Sequence, residues 1–294
     1  IFSSLIYFFF FQFLKNENKN LKILSSFILI IFLVDMNRYS EFGNDEPAHM
    51  IFFYFNFIII KILFLNKNDK YLLSDYKKIL YLSLFLFMIK ITYALIFFTL
   101  LFMFFLSKKK SEFFNNFNII LIIIFVFWLI KNYLITSCFI YPIEHTCISS
   151  SWNNYGYLAE NILTEAWSKG FPDQNNIQNL SIYNNNFSIW FSTWSNNHLF
   201  FILEKLIPII SVFILSYFLI DFSENKNDQF NKKYFYFFLF INFINVLIWF
   251  FFFPVYRFGS GYILFLILLI FMAFIFNKKN FSLKKLKLVI AILC

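Results

Sequence analysis

The sequence predicts an all-α fold, namely a polytopic transmembrane helical bundle of about ten spans with a helical outer loop. Its apolar fraction of 60% and mean hydropathy of +0.68 exceed what a soluble fold of 294 residues could bury. Runs such as 119–130 and 234–253 carry no charged residue. The lysines lie in short patches between such runs, as expected for loops that anchor spans at a membrane surface.

The apolar runs set the predicted spans, and flanking Tyr, Asn and Ser residues complete the shorter ones, since a crossing needs about 20 residues. The predicted spans cover 1–14, 22–34, 50–65, 79–89, 91–106, 119–130, 199–220, 234–253 and 262–276, with a last one opening at 288. The chain begins at Ile1 and stops inside the apolar run LVIAILC. We therefore expect 1–294 to be a single transmembrane domain, a fragment truncated at both ends.

The basic residues orient the bundle. Of the 25, 18 fall in loops that alternate to one face, at 15–22, 66–78, 107–118, 221–233 and 277–287. Only four lie in the opposite loops, at 35–49, 131–198 and 254–261. The positive-inside rule makes the lysine-rich face cytoplasmic and 131–198 a large extracytoplasmic loop. Because the charge of +9 is spread in this way, it does not indicate a nucleic-acid partner.

The segment 79–106, ILYLSLFLFMIKITYALIFFTLLFMFFL, has lysine-bearing loops on both sides. A single crossing would break the charge rule, so we predict two short helices that meet between Lys90 and Tyr93 in a hairpin near the outer face. The alternative is one long span with the Lys90 side chain snorkelling to the surface.

The outer loop 35–49, DMNRYSEFGNDEPAH, packs four carboxylates, Arg38 and His49 into 15 residues. Pro47 suits the first turn of the following helix, which places Asp45 and Glu46 at its N-terminus. Ordinary capping by the helix dipole explains one acid there. Four acids and a histidine favour a polar ligand or a reaction at this site.

Two cations are predicted near the outer membrane surface. Lys90 lies at the hairpin tip, where an unpaired ammonium is costly to bury. Arg257 lies in FFFFPVYRFGSGYIL, whose proline and glycines permit a tight turn. Both are candidates for binding the phosphate of a lipid-linked substrate, whereas pairing of Arg257 with lipid headgroups is the simpler alternative.

The loop 131–198 is predicted to be ordered in part. Apolar residues recur at helical spacing between Asn154 and Trp167, which indicates a short amphipathic helix lying on the membrane or over the site. In an oxidising compartment Cys138 and Cys147 are able to form a disulfide. A zinc site from both cysteines and His145 is the alternative, but no motif spacing supports it.

The acidic pair in NDEPAHM, followed by the Lys-x-Thr-Tyr hairpin tip in FMIKITYAL, resembles the multispanning GT-C glycosyltransferases, which include the protein O-mannosyltransferases and the lipid A aminoarabinose transferases. The resemblance covers about 35–262. It implies inverting transfer of a sugar from a polyprenyl-phosphate donor to an acceptor hydroxyl. Asp45 would be the general base, and Glu46 would help to place the acceptor or, in members that use a divalent metal, hold that metal. Lys90 and Arg257 would then stabilise the leaving phosphate. We expect the residues that bind the substrate to be Arg38, His49, Lys90, Tyr93 and Arg257.

The resemblance also implies a location, a bacterial inner membrane with the active face periplasmic, and two kinds of partner, the lipid-linked donor and membrane lipids. It leaves the cofactor unknown and assigns no metal ligand. Two other functions stay open on the residues alone. One is a polysaccharide polymerase or ligase acting on lipid-linked sugars, and the other is a transporter or flippase, although the chain shows no internal repeat and few glycines.

Overall fold

The computed structural model describes residues 2–15, 18–34, 45–65, 69–106, 119–141, 143–148, 150, 152, 157–171, 177–219, 222–223, 232–277 and 280–281. These residues are almost entirely helical. The helices are α1 Phe2–Lys15, α2 Lys19–Val34, α3 Asp45–Leu65, α4 Asp69–Ile89, α5 Ile96–Leu106, α6 Ile119–Thr136, α7 Tyr157–Ser168, α8 Ile177–Asn185, α9 Phe187–Trp194, α10 Phe200–Leu219, α11 Lys232–Phe252 and α12 Tyr256–Asn277. Short 3₁₀ turns occupy Ile91–Leu95 and Glu144–Thr146, and a π-helical turn, Ser195–Leu199, joins α9 to α10.

The chain is an integral membrane protein. Within the described residues, four helices are long and apolar enough to cross a bilayer: Asp45–Phe64, Phe187–Tyr217, Lys232–Phe252 and Tyr256–Ile275. The sequence predicted about ten spans, and the structure supports four. The other apolar helices are shorter, with 16 residues in α2, 11 in α5 and 18 in α6. The 21-residue α4 begins with the charged stretch DKYLLSDYKK, so only its second half is apolar.

Helices α3 and α12 form the centre of the bundle. Of the most apolar 18-residue window, 83% is buried in α3 and 67% in α12, against 28% in α11 and in the helix formed by α9 and α10. Aromatic rings fill the contact between the two central helices, where Phe52 meets Tyr262 and Phe265 edge to face. The outer helices instead expose Phe and Ile side chains, as lipid-facing helices do.

The predicted break between α4 and α5 is confirmed. Lys90 has an extended backbone, with φ −151° and ψ 113°, and separates Ile89 from the 3₁₀ turn. The rings of Phe87 and Phe97, on opposite sides of the break, lie 5.5 Å apart, so the chain turns back there. Helix α6 packs on this corner, since Trp128 Nε1 donates to the carbonyl of Met88 at 3.0 Å.

The amphipathic helix expected from Asn154 to Trp167 is present as α7, and Gly170 follows it with φ +84°. One boundary needs correction. The loop was predicted to continue to 198, but Phe187–Tyr217 is one helix of 31 residues that includes the π-helical turn. The polar stretch SNNH at 195–198 indicated a loop end. The apolar residues of α9 instead pack on α11, with the ring centroids of Trp194 and Phe250 5.1 Å apart.

The two ends of the bundle gather the segments that the charge rule assigned to opposite faces. At one end, the two-residue strands β1 (Phe222–Ser223) and β2 (Asn280–Phe281) pair antiparallel, which joins two of the lysine-rich loops. At the other end lie the start of α3, the Lys90 corner and the turn between α11 and α12. For these described segments, the side that the charge rule predicted agrees with the fold.

Candidate functional site

The site begins with Asp45, the first residue of α3. Its Oδ1 accepts a hydrogen bond from Lys90 Nζ at 2.6 Å, and its Oδ2 accepts from Arg257 Nε. Lys90 Nζ also donates to the main-chain carbonyl of Arg257 at 3.1 Å and lies 4.9 Å from the centroid of the Phe258 ring. The structure thus brings together one carboxylate and two cations from three separate segments. We call Asp45, Lys90 and Arg257 the ion cluster.

The members of the ion cluster differ in exposure. The Lys90 and Asp45 side chains are 9% and 19% exposed, whereas Arg257 is 60% exposed. The Lys90–Asp45 pair is therefore the sheltered part of the cluster, where a charge interaction is screened least. Arg257 faces the open side, so its guanidinium retains N–H groups for an incoming anion.

His49 lies one turn further along α3 and is 1% exposed. Its Nε2 lies 3.0 Å from the carbonyl of Arg257, and its Nδ1 contacts the hydroxyl of Tyr93. Because a carbonyl only accepts, Nε2 carries the proton, which leaves Nδ1 to accept from the tyrosine in a neutral imidazole. His49 therefore positions the Arg257 backbone and Tyr93, and it does not itself face an open space.

The turn that carries Arg257 is held by indole donors. Trp194 Nε1 donates to the carbonyl of Pro254 at 2.6 Å, and Trp249 Nε1 donates to that of Val255 at 3.2 Å. A proline cannot extend α11, so the carbonyls at the end of this helix need partners from outside. Both tryptophans are buried, at 5% and 6% exposed. Trp249 is thus a structural anchor of the site.

Gly259 and Gly261 let α12 approach the rest of the site closely. A Cβ on Gly261 would lie 2.5 Å from the Tyr93 hydroxyl and 3.0 Å from His49 Nδ1, and a Cβ on Gly259 would overlap the Trp249 indole. The hydroxyl of Tyr262 donates to the Thr92 carbonyl at 2.8 Å. The glycines in FGSGY therefore serve packing against the hairpin tip, in addition to the turn.

We expect Gly261→Ala to destabilise the protein by about 1–3 kcal/mol, because the added methyl group must displace buried side chains. A thermal unfolding curve of the purified protein in detergent measures the effect. Ile270→Ala is the control, since this side chain is exposed on the same helix. A Gly261→Ala protein as stable as the wild type would contradict the close packing.

An apolar cavity of about 450 Å³ lies beside the hairpin tip. It is lined by Ile91, Thr92, Ala94, Leu95, Ile143, Glu144, His145, Ile248, Trp249, Phe252, Phe253 and Tyr262. Neither His49 nor any residue of the ion cluster is among these lining residues. Its volume falls in the range of pockets that hold small ligands. We call it the apolar cavity.

For the remaining predicted site residues, the structure gives fewer contacts. Glu46 is half-buried in the first turn of α3 and interacts electrostatically with Lys90. Arg38 lies outside the described residues, as does most of the loop 35–49. Within the parts of the chain that the structure describes, no three His, Cys, Asp or Glu side chains group closely enough to hold a metal ion. The structure joins Cys138 to Cys147 in a disulfide instead of a zinc site.

Sequence reasoning missed Glu144 and His145 as lining residues of the apolar cavity. Both stand in the 3₁₀ turn inside the loop that the Cys138–Cys147 disulfide closes. The motif YPIEHTC was visible in the sequence. Its only signal was the pairing of the cysteines, which predicts a compact loop but not the surface that this loop meets.

The fold and site define a helical integral membrane protein with a charged cluster and an apolar cavity at one end of its bundle. The chain belongs to the family described as a domain of unknown function, DUF8201, whose model matches residues 1–264. The match includes the ion cluster and every residue that lines the apolar cavity. No curated protein and no solved structure matches the chain.

Proposed function

We propose that the protein is an inverting glycosyltransferase that moves a sugar from a polyprenyl-phosphate donor to an acceptor hydroxyl. The observation that carries the proposal is the convergence of Asp45, Lys90 and Arg257, which lie far apart in the sequence and share one site. A base and a phosphate-binding pair are what such a displacement needs. The resemblance of NDEPAHM and FMIKITYAL to the GT-C enzymes points to the same reaction.

The ion cluster suggests how the donor would engage. Both carboxylate oxygens of Asp45 are occupied by the cations, so this carboxylate is a weak base as it stands. A donor phosphate competes with Asp45 for Lys90 and Arg257, and the exposed Arg257 is the side that it meets first. Once the phosphate has replaced the carboxylate, Asp45 is free to accept a proton. Donor binding would thus precede activation of the acceptor.

In the transfer step, the acceptor hydroxyl loses its proton to Asp45 while its oxygen bonds to the anomeric carbon. The bond from that carbon to the phosphate oxygen breaks, and the electron pair leaves with the polyprenyl phosphate. Lys90 and Arg257 stabilise the charge that builds up on this oxygen. Attack opposite the leaving group inverts the anomeric configuration. Glu46 lies in the same helical turn and helps to place the carboxylate of Asp45.

The proposal also includes the cellular location of the protein and its orientation in the membrane. A lipid-linked donor reaches a site at the end of a membrane bundle without leaving the bilayer. We propose that this end faces the periplasm of a bacterial inner membrane, because β1 and β2, which belong to two of the lysine-rich loops, lie at the opposite end. We further propose that shorter apolar helices, such as α2, α5 and α6, also lie at membrane depth between the four spanning helices, which approaches the predicted ten-span layout.

The test is a transfer assay with the purified protein in proteoliposomes. Radiolabelled polyprenyl-phosphate sugars of several types are supplied with an extract of cell-envelope acceptors, and the acceptor-bound label and its anomeric configuration are measured. The expected result is acceptor labelling with inversion. Retention of configuration, or passage of the lipid-linked sugar across the bilayer without transfer, would overturn the proposal and favour a different enzyme or a flippase.

A further inference from the structure

We propose that the apolar cavity binds an amphiphile with an alkyl chain and a cationic ammonium head. This ligand is distinct from the anionic donor of the proposed function, and its binding does not rest on the proposed reaction. The inference depends on two properties of the cavity, its aromatic lining and the sign of the charge at its rim.

The lining is rich in aromatic rings. Trp249, Phe252, Phe253 and Tyr262 come from α11, α12 and the turn between them, and aliphatic side chains of the hairpin tip face them. An apolar wall of this kind suits an alkyl chain. Aromatic rings also attract a cation through their negative faces, which is how ammonium heads are recognised in other proteins.

The charge at the cavity rim is opposite in sign to that of an ammonium head. Glu144 is the single Asp, Glu, Lys or Arg among the described lining residues, and it is exposed at the cavity edge. His145, which also lines the cavity, follows Glu144 in the same 3₁₀ turn. The described lining thus carries one carboxylate and no lysine or arginine, which favours an ammonium head over a phosphate or carboxylate.

The loop that carries Glu144 is held in place independently of any ligand. The Cys138–Cys147 disulfide closes it, and Thr146 Oγ1 donates to the carbonyl of Ile143 at 2.8 Å. The backbone N–H of Phe139 donates to the carbonyl of Thr146 at 3.0 Å. A carboxylate on such a loop is pre-positioned, so little ordering is needed when a ligand arrives.

The experiment uses three photoreactive probes with the same decyl chain bearing a diazirine, and with a trimethylammonium, a hydroxyl or a carboxylate head. The full chain is held in uncharged maltoside micelles and irradiated, and labelled peptides are quantified by mass spectrometry. Labelling of 248–253 is divided by labelling of the exposed helix α6. This ratio removes differences in how the probes partition into the micelle.

We expect the ammonium probe to give a ratio about fivefold higher than the carboxylate probe. The reason is that aromatic rings and the Glu144 carboxylate both attract a cation. Glu144→Gln should reduce this preference, and Glu144→Lys should reverse it. Ala94→Phe should abolish the ammonium preference at 248–253, because it fills the cavity, and leave only the labelling of the exposed Phe251 and Phe252. Glu204→Gln is the matched control, since its carboxylate is exposed on α10 away from the cavity, and it should change nothing.

Equal ratios for the three probes, or a preference for the carboxylate probe in the wild type, would overturn the inference. An ammonium preference that survives Ala94→Phe would also overturn it, because the probe would then lie elsewhere. Asp45→Asn should leave the ratios unchanged. Loss of transfer and loss of the ammonium site are thus separate results, and the failure of one proposal does not imply the failure of the other.

Discussion

Asp45→Asn is expected to lower the rate of sugar transfer by about 10²–10⁴-fold, the range for removal of a general base. The amide cannot accept the proton of the acceptor hydroxyl at neutral pH. It still offers an oxygen to one of the two cations, so we expect the bundle to assemble. The measurement is the single-turnover rate in proteoliposomes with saturating polyprenyl-phosphate sugar, which separates chemistry from donor binding.

Asp75→Asn is the matched control for this experiment. Asp75, on α4, accepts a hydrogen bond from Lys61 Nζ at 2.8 Å, so it is also a carboxylate paired with a lysine. Lys61 lies near the C-terminal end of α3, whereas Asp45 begins that helix. It should retain transfer. Asp45→Glu adds a second comparison, because it keeps the negative charge and displaces the carboxylate by one methylene group. Transfer by Asp45→Asn at the wild-type rate would exclude Asp45 as the base.

Much of the site could be predicted from the sequence, because charged residues within apolar runs are costly to bury. A lysine or arginine within apolar sequence needs a partner, and Asp45 is the acid that the fold supplies to both Lys90 and Arg257. The break at Lys90 followed from lysine patches on both sides of a run too short for two full spans. These are arguments from charge and length, which hold before the packing is known.

The number of spans was not predictable in the same way. Phenylalanine and isoleucine fill both the lipid-facing and the buried positions of this chain, so hydropathy alone does not separate crossing helices from shorter ones. The helix that begins at Phe187 illustrates the problem, because SNNH at 195–198 breaks the apolar pattern without breaking the helix. Tertiary packing of Trp190 and Trp194 on α11 decides that boundary.

The apolar cavity and the role of Trp249 were also out of reach of the sequence. The cavity is formed by segments more than 100 residues apart, the turn after Lys90 and the end of α11. Trp249 precedes the end of an apolar run, a position typical of an interfacial tryptophan. Its indole instead packs on Gly259, and only a contact across the turn reveals why a glycine stands there.

Lys90→Met should lower the free energy of unfolding of the protein. It leaves the Asp45 carboxylate, only 19% exposed, without its sheltered partner. Breaking a buried ion pair costs about 3–5 kcal/mol, and Arg257 still pairs with the carboxylate, so we expect about 2–3 kcal/mol here. Chemical unfolding of the protein in mixed micelles, followed by tryptophan fluorescence, measures the loss.

The double variant Asp45→Asn with Lys90→Met separates a charge effect from a packing effect. If the cost of Lys90→Met comes from the carboxylate left behind, neutralising Asp45 should recover about half or more of it, and the two changes will not add. If the lysine stem matters only through its contacts with neighbours such as Phe258, the two costs will add. Additive costs would show that Lys90 contributes to stability through packing alone. The ion cluster would then not be the phosphate-binding site on which the proposed transfer reaction depends.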